Sequence, residues 1–280
     1  MKRIPFLVWI WFSFSCLLFS HESGTIKSVR PVNQSTLVGI GKAFLDDSYL
    51  SPITYDGIAI SLIHDRLKGS TFFGDKGLIQ NQFRIQTAIT KNPTSSSSEY
   101  WGSLYYSLNG FYPIFNSENL RLFGGGGTEA SLGGIYNVRN TNNPGSLKTY
   151  VNLNLSAMAL YSWRNLTFRW QLSTPFAGMF FSPEYGHSYY EIFTLGNNKG
   201  TVHFGSFHNQ MALRNYFTID IPVRNITIRT GYLWDYYSTD VNELITKTNA
   251  HQFVLGLAFE SLYIGGKLAH DKSVIESVYY

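Results

Sequence analysis

Three stretches of the sequence share one hairpin pattern, in which an alternating apolar and polar segment is followed by a two-residue polar turn and a second alternating segment. The turns are Arg164-Asn165, Arg224-Asn225 and Glu260-Ser261. Side chains in a β-strand alternate between faces, and a two-residue turn pairs the residues that flank it. Each turn is flanked by an apolar pair, so each predicted hairpin has one apolar face. The pairs are Trp163/Leu166, Val223/Ile226 and Phe259/Leu262.

Strands of about ten residues with one apolar face, joined alternately by tight turns and longer polar loops, are typical of transmembrane β-barrels. Residues 78–90 show the alternation most plainly. Their predicted outward set is Ile79, Phe83, Ile85 and Ile89, and their predicted inward set is Gln80, Gln82, Arg84 and Gln86. We therefore predict an all-β fold, a transmembrane antiparallel β-barrel.

The predicted barrel domain spans residues 36–280 and has about twelve strands, with ten or fourteen as alternatives. The count depends on residues 174–210, a connection too long to be an idle loop, which we interpret as a plug or a lid. Residues 272–280 are predicted to form a twelfth strand. That strand would return the C-terminus to the N-terminal side and give the even strand count of bacterial barrels.

The N-terminus has the pattern of a secretory signal peptide. Lys2 and Arg3 precede a mainly apolar run over residues 4–19, and polar residues follow it. This run is shorter than the roughly 20 residues of a membrane-spanning helix, so we predict a cleaved signal peptide over residues 1–20. Cys16, the only cysteine, lies within the apolar run, which disfavours a lipid anchor.

The composition agrees with a membrane barrel. Only 14% of the residues are charged, below the roughly 25% of soluble domains. The net charge of +4 is spread along the chain, so we expect no nucleic-acid partner. We expect the protein to lie in the outer membrane of a Gram-negative bacterium, in contact with its lipids. The C-terminal Tyr279 and Tyr280 would be recognised by the barrel assembly machinery.

Two sets of side chains follow from the predicted facing. Aromatic residues expected at the membrane interface are Trp163, Trp170, Tyr232, Trp234, Tyr236 and Tyr237. Residues expected to line the lumen are Arg214, Tyr216, Asp220, Arg229 and Asp235. The lumen set would either form a selective solute path or, as we consider more consistent with a barrel of this size, pair across the interior and fill it.

Residues 181–197 combine many aromatic side chains with polar ones, including Tyr189-Tyr190-Glu191-Ile192-Phe193 and Leu195-Gly196-Asn197. This segment, together with Gly39-Ile40-Gly41-Lys42 near the start, resembles a family of secreted Bacteroidota-type proteins catalogued as domain of unknown function 3316. The resemblance would cover nearly the whole mature chain. It implies an outer-membrane-type barrel and supplies no catalytic residues.

Three functional hypotheses remain open. The first is a non-enzymatic barrel with a structural role or a role in small-solute passage or binding. The second is an outer-membrane lipid hydrolase with Ser188 as nucleophile, His187, His203 or His208 as base and Glu184 or Glu191 as orienting carboxylate, although no Gly-x-Ser-x-Gly motif surrounds Ser188. The third is a soluble ligand-binding barrel with apolar residues inside. We expect no cofactor and no metal site, because no pair of histidines has the spacing of metal ligands.

Overall fold

The computed structural model describes residues 32–70, 77–223 and 226–261. This part of the chain forms eleven antiparallel strands and one short helix. The strands are β1 (Val32–Asp47), β2 (Ser51–Ser70), β3 (Gly77–Lys91), β4 (Ser98–Asn116), β5 (Leu120–Asn137), β6 (Gly145–Trp163), β7 (Leu166–Phe181), β8 (Val202–Ser206), β9 (Gln210–Val223), β10 (Ile226–Val241) and β11 (Leu244–Ser261), and the helix is α1 (Tyr189–Phe193).

The strands close into a barrel. They follow the order β6-β5-β4-β3-β2-β1-β11-β10-β9-β7, and β7 pairs in turn with β6. Ten strands therefore form the ring. The short β8 pairs with residues 177–181 of β7, and β9 pairs with residues 167–173 of the same strand. Together β8 and β9 therefore occupy one place in the ring. The all-β antiparallel barrel predicted from the alternation is confirmed.

The ring has ten strands, which was one of the alternatives to the predicted count of about twelve. β1 pairs with β11 along its whole length, from Val32 opposite Ser261 to Asp47 opposite Thr246, and this pairing completes the ring with ten strands. Glu260 and Ser261 are paired strand residues, so the predicted two-residue turn at this point is wrong. The predicted twelfth strand over 272–280, with Tyr279 and Tyr280, lies outside the described residues, as does the predicted signal peptide.

Two of the predicted hairpins have the expected register. Trp163 pairs with Leu166, and Val223 pairs with Ile226. We call this end of the barrel, which also holds the start of β1, the turn end. At the opposite end β10 and β11 are joined by Asn242 and Glu243, which have φ angles of 55° and 60°. Such angles are typical of a type I′ hairpin turn. We had not predicted this turn.

The two faces of each strand differ in polarity. On β3, Phe83 and Ile85 point outward and are each 41% exposed, whereas Gln80 and Arg84 point inward and are 0% and 2% exposed. On β2, Ile58, Ile60 and Leu62 are likewise exposed. Outward apolar side chains form a belt around the barrel. This belt argues against the soluble-barrel hypothesis, which requires polar side chains on the outside.

The lumen also contains apolar clusters. One lies towards the turn end, and its buried members are Leu67, Leu78, Phe111, Phe123, Met158 and Leu160. Another lies towards the opposite end, with Leu45, Tyr55 and Trp101 among its buried members. Within the described residues, no helix is long and apolar enough to span a membrane. Charged side chains occupy the lumen between these clusters.

Candidate functional site: the lumen and its cap

An ion pair crosses the full width of the lumen. Arg169 on β7 contacts Asp65 on β2, and these strands are five places apart in a ring of ten. Gln80 donates a hydrogen bond to the same carboxylate at 2.7 Å, and Gln171 donates one to Gln80 at 2.8 Å. Asp65 and Arg169 are each 1% exposed. A side chain from one wall of the barrel therefore reaches the opposite wall.

A second guanidinium lies beside this pair. Arg229 binds both carboxylate oxygens of Asp220 at 2.6 Å and lies 3.6 Å from Asp65. It also donates hydrogen bonds to Ser35 and Asn33 at 2.7 and 2.9 Å. Bidentate contacts between arginine and carboxylate are among the strongest hydrogen bonds in proteins. The arrangement ties β10 to β9, β2 and β1.

A further network lies nearer the middle of the barrel. Asp235 contacts both Arg84 and Arg214, and Arg214 also contacts Glu129 at 2.7 Å. The ring of Tyr105 lies close to both guanidinium groups, with its centroid 4.8 Å from Arg84 and 4.1 Å from Arg214. Its hydroxyl group donates to Glu129 at 3.1 Å. Two cations and two carboxylates thus neutralise each other around one aromatic ring.

A third ion pair lies towards the end of the barrel opposite the turn end. Lys148 on β6 contacts Asp47 on β1 at 3.0 Å, again between strands five places apart. Lys148 also donates to Thr246 on β11 at 2.8 Å. Cross-lumen ion pairs therefore occur at three heights, which leaves little free space. One cavity between Tyr105, Arg214 and Tyr216 has about 10 Å³ for the centres of water molecules, roughly the room for one water.

The structure places all five predicted lumen residues on the inner face. Arg214, Asp220, Arg229 and Asp235 belong to the ion-pair networks, and Tyr216 is buried near them. Sequence reasoning did not single out five other charged residues of the lumen networks, which are Asp65, Glu129, Lys148, Arg169 and Asp47. The sequence could have indicated them, because a charged residue at an inward position of an alternating strand must find a partner in the lumen. Asp65 on β2 and Arg169 on β7 occupy such positions.

Five of the six aromatic residues predicted at the membrane interface lie on the outer face. Trp163 and Trp170 are each 50% exposed, and Tyr232 is 41% exposed. Trp234 stacks on His251 at 5.7 Å and donates its indole N–H to Asn249 at 2.8 Å. Tyr236 is half-buried. Tyr237, which follows it, points into the lumen and stacks on Tyr150, so the interface prediction is wrong for this residue.

Residues 182–201, which we call the cap, cover the mouth of the barrel opposite the turn end. They leave β7, form α1 and return to β8, and the N–H of Ser182 bonds to the carbonyl of Thr201 at 2.9 Å where the two ends meet. Tyr49, between β1 and β2 on the far side of the ring, donates its hydroxyl to the carbonyl of His187 at 2.8 Å. The long connection therefore lies across the mouth.

Aromatic packing and further hydrogen bonds hold the cap in place. The ring of Tyr189 meets the ring of Tyr49 edge-on at 5.7 Å, and its hydroxyl accepts the N–H of Leu147 at 2.6 Å. Asn242, in the turn between β10 and β11, donates to the carbonyls of Pro183 and Gly200. The cap thus contacts three parts of the rim.

The electrostatics of the cap follow from these contacts. Burial raises the pKa of Tyr49 to about 12, and the neighbouring Tyr189, Asp47 and Glu191 add to the rise. Burial also raises the pKa of Tyr189. The backbone N–H and the hydroxyl of Ser188 donate to Glu191 and lower the pKa of its carboxyl group. Tyr49 is therefore a neutral hydrogen-bond donor over the physiological pH range.

The candidate hydrolase residues do not form a nucleophile and base pair. Ser188 is the N-cap of α1, and its hydroxyl donates to the Glu191 carboxylate at 3.1 Å and accepts the Glu191 N–H at 3.3 Å. His187 faces Glu184 at 3.7 Å. His203 on β8 lies 3.3 Å from the carbonyl of Ser182. Ser188 and Glu191 therefore form a capping box, whose function is to start a helix.

In the part of the chain that the structure describes, no group of three or more His, Cys, Asp or Glu side chains is arranged to hold a metal ion.

A family model described as Protein of unknown function (DUF3316) matches residues 7–268. The chain belongs to this family. The resemblance inferred from residues 181–197 and from the start of the chain is confirmed. No curated protein matches the DUF3316 chain.

Solved outer-membrane barrels are similar to the DUF3316 chain at low identity. The outer membrane protease OmpT from Escherichia coli is 9% identical, with 86% of this chain and 100% of that chain covered and a TM-score of 0.47. The transport unit of the autotransporter AIDA-I from E. coli is 11% identical, with 90% and 97% covered and a TM-score of 0.45. The translocator domain of NalP from Neisseria meningitidis is 9% identical, with 90% and 94% covered and a TM-score of 0.40.

Proposed function

We propose that this DUF3316 protein is an integral outer-membrane β-barrel with a structural, non-conducting role. The observation that carries the proposal is the ion pair between Arg169 and Asp65, which joins opposite walls of the lumen. A pathway for solutes would have to pass this pair, the network around Tyr105 and the Lys148 pair. The cap covers what remains of the mouth.

The outer surface supports the placement in a membrane. Water-soluble proteins rarely expose large contiguous apolar patches, whereas a barrel in lipid requires an apolar band about 25 Å tall. The exposed side chains that form the band include Ile40, Ile60, Ile85, Leu104, Leu155 and Leu255. The proposal places the protein in the outer membrane of a Gram-negative bacterium. It includes a signal peptide over residues 1–20 and recognition of Tyr279 and Tyr280 by the barrel assembly machinery.

The energetics explain why such a lumen stays closed. Opening a path would separate buried charges from their partners, and leaving one such charge uncompensated costs about 3–5 kcal/mol. A ring of ten strands has an interior that side chains can fill. The network therefore favours a single closed state in which its charges neutralise each other.

Single-channel conductance of the refolded protein tests the proposal. We expect no stepwise conductance from the wild type. Replacing residues 182–201 with a short glycine linker should also leave the barrel silent, because the ion pairs lie below the cap. The linker is feasible because the ends of the cap already meet at a hydrogen bond of 2.9 Å.

A double variant separates the contributions of the lumen and the cap. Arg169→Ala with Asp65→Ala removes the cross-lumen pair. Combined with loss of the cap, it is expected to give the first measurable current. Regular current steps from the unmodified protein would contradict a non-conducting barrel, and a current that appears on removal of the cap alone would assign the seal to the cap.

A further inference from the structure

The outer face of β2 carries a row of basic side chains at its turn end. His64, Arg66 and Lys68 occupy alternate positions, and all three are exposed. The intervening Asp65 and Leu67 point into the lumen and are buried. Because a strand rises about 3.3 Å per residue, successive basic side chains stand roughly 6.6 Å apart. We call this row the basic stripe.

The basic stripe interrupts the apolar belt. On several other strands the outward positions near the turn end include exposed apolar side chains. Examples are Ile114 on β4, Trp163 on β6, Ile226 on β10 and Leu257 and Phe259 on β11.

On β2 the exposed apolar residues begin only at Leu62, above His64, and continue through Ile60 and Ile58. The belt is therefore locally shorter at this strand. The gap is filled with positive charge.

Neighbouring side chains add polar groups to the basic stripe. Asn81 on β3 is the cross-strand partner of Arg66. Tyr106 donates its hydroxyl to the Oδ1 atom of Asn81 at 2.8 Å, which leaves the Nδ2 group of the same amide as a donor beside the guanidinium group. Thr36 on β1 is paired with His64, and its hydroxyl lies 3.0 Å from the Nδ1 atom of His64.

The basic stripe has no acidic partner in the part of the chain that the structure describes. Over residues 32–70, 77–223 and 226–261, no carboxylate forms an ion pair with Arg66 or Lys68. The nearest acidic residue in sequence, Asp65, faces the lumen and pairs with Arg169. Two fixed cations with adjacent amide and hydroxyl groups at the edge of an apolar belt form a surface suited to an anion that carries alkyl chains.

We infer that the basic stripe binds the phosphate group of an anionic phospholipid, of the phosphatidylglycerol class, in the leaflet at the turn end of the barrel. The inference rests on the proposed membrane placement. Arg66 and Lys68 contact the headgroup, with the Nδ2 group of Asn81 as an added donor. The acyl chains lie along Leu62 and Ile60, which continue the same face of β2 into the belt. The lipid thus completes the belt where the protein leaves it short.

The test uses the full barrel in bilayers of phosphatidylcholine with a minor fraction of phosphatidylglycerol. Native mass spectrometry of the released protein counts the lipids that remain bound. We expect phosphatidylglycerol to be enriched over its share of the bilayer. Basic residues near an anionic leaflet each contribute about a fivefold preference, so Arg66→Gln with Lys68→Gln should reduce the enrichment by an order of magnitude or more.

A matched control removes the same charge elsewhere. Arg139→Gln with Lys199→Gln takes two cations from exposed connections at the cap end. These changes should leave the enrichment unchanged. Arg66→Lys keeps the positive charge, so it should retain most of the enrichment of phosphatidylglycerol. This single variant can be measured if the double variant fails to fold. Inorganic phosphate added in millimolar excess should not displace the lipid, because it lacks the acyl chains.

Several outcomes would overturn the inference. Equal retention of the two lipids by the wild type would do so, as would equal losses in the stripe variant and the control. Displacement of the lipid by inorganic phosphate would show a phosphate site without lipid recognition. A barrel that inserts into the mixed bilayer but retains both lipids equally loses the lipid site alone, whereas a barrel that does not insert contradicts the proposed function and the lipid site with it.

Discussion

The lumen and the outer surface of this barrel differ in the polarity of their side chains. Inside, Arg169 and Arg229 are 1% and 0% exposed and each binds a carboxylate. Outside, Ile58 and Leu155 are 61% and 53% exposed and point away from the protein. A water-soluble protein distributes these residue types the other way round. The difference supports the proposed contact of the outer face with lipid, whereas the lumen must satisfy its own charges.

The comparison also separates two kinds of stability. The outer belt contributes by contact with lipid, so a charge placed there is penalised according to its depth. The lumen contributes through partnered charges, so the loss of one partner is penalised according to burial. Each kind predicts a different response to substitution.

The largest effect is expected in the lumen, at Arg229. Arg229→Ala leaves Asp220 without its bidentate partner and weakens the surroundings of Asp65. We expect a loss of about 3–5 kcal/mol in the free energy of unfolding, because a buried charge is left uncompensated. Urea titration of tryptophan fluorescence in lipid vesicles measures it.

The control for this variant removes both charges. Arg229→Met with Asp220→Leu replaces the pair with apolar side chains of similar size, and such exchanges are often neutral. It should be much less destabilising than Arg229→Ala. If both variants lose the same free energy, charge pairing is not what stabilises the lumen.

The next effect is expected on the outer face of β9. Phe217 lies near the middle of this strand, so Phe217→Arg should cost about 2–4 kcal/mol, the range for arginine near the midplane of a bilayer. Ile228 is only two residues from the turn end of β10, so arginine there should cost less. Thr227→Arg, which points inward at the same end, should be tolerated. Equal losses at Phe217 and Thr227 would remove the distinction between the two faces.

A smaller effect is expected in the cap, at Ser188. Ser188→Ala removes the side-chain half of the capping box, which typically costs about 1 kcal/mol of helix stability. Amide exchange of α1 should accelerate while the strands remain protected. Phospholipid turnover in detergent, compared between wild type and variant, serves as the second reading. Turnover in the wild type that the variant abolishes would support the hydrolase hypothesis instead.

The smallest effect is expected at Tyr49, which joins the cap to the far rim. Tyr49→Phe removes one hydrogen bond, worth about 0.5–1.5 kcal/mol. The raised pKa also gives a pH dependence. The stabilisation from Tyr49 is fully present below its ordinary pKa of 10.0 and is lost as the pH rises towards about 12.

Ultraviolet titration of tyrosinate in wild type and variant measures the Tyr49 pKa as a difference. A phenol with an ordinary pKa at position 49 would contradict the buried contact between Tyr49 and the cap.

Local alternation predicted the faces of the strands well and the closure of the ring poorly. Phe83 and Gln82 could be assigned to opposite faces because their neighbours repeat the same two-residue period. The strand count could not be read in this way, since the pairing of Val32 with Ser261 joins the two ends of the described chain and depends on how all strands are staggered. No residue near Glu260 marks the end of the ring.

The cap shows the same limit. The aromatic density of residues 181–197 identified an unusual segment, but its partners Tyr49 and Asn242 are far away in sequence and lie in short connections without a distinctive pattern. The adjacency of His187 and Ser188 suggested chemistry. The helical turn that follows instead uses Ser188 as a cap, because a serine three residues before a glutamate satisfies the first N–H groups of a helix.

Accessibility of single labels to a quencher dissolved in the bilayer tests the facing of the strands most directly. The chain has one cysteine, Cys16, so replacing it allows labels to be placed one at a time. Labels at Phe168 and Ile219, on the outer faces of β7 and β9, should be quenched strongly, whereas a label at Thr227 should be shielded. Shielding of both outer labels, with quenching at Thr227, would contradict a barrel whose apolar belt faces lipid.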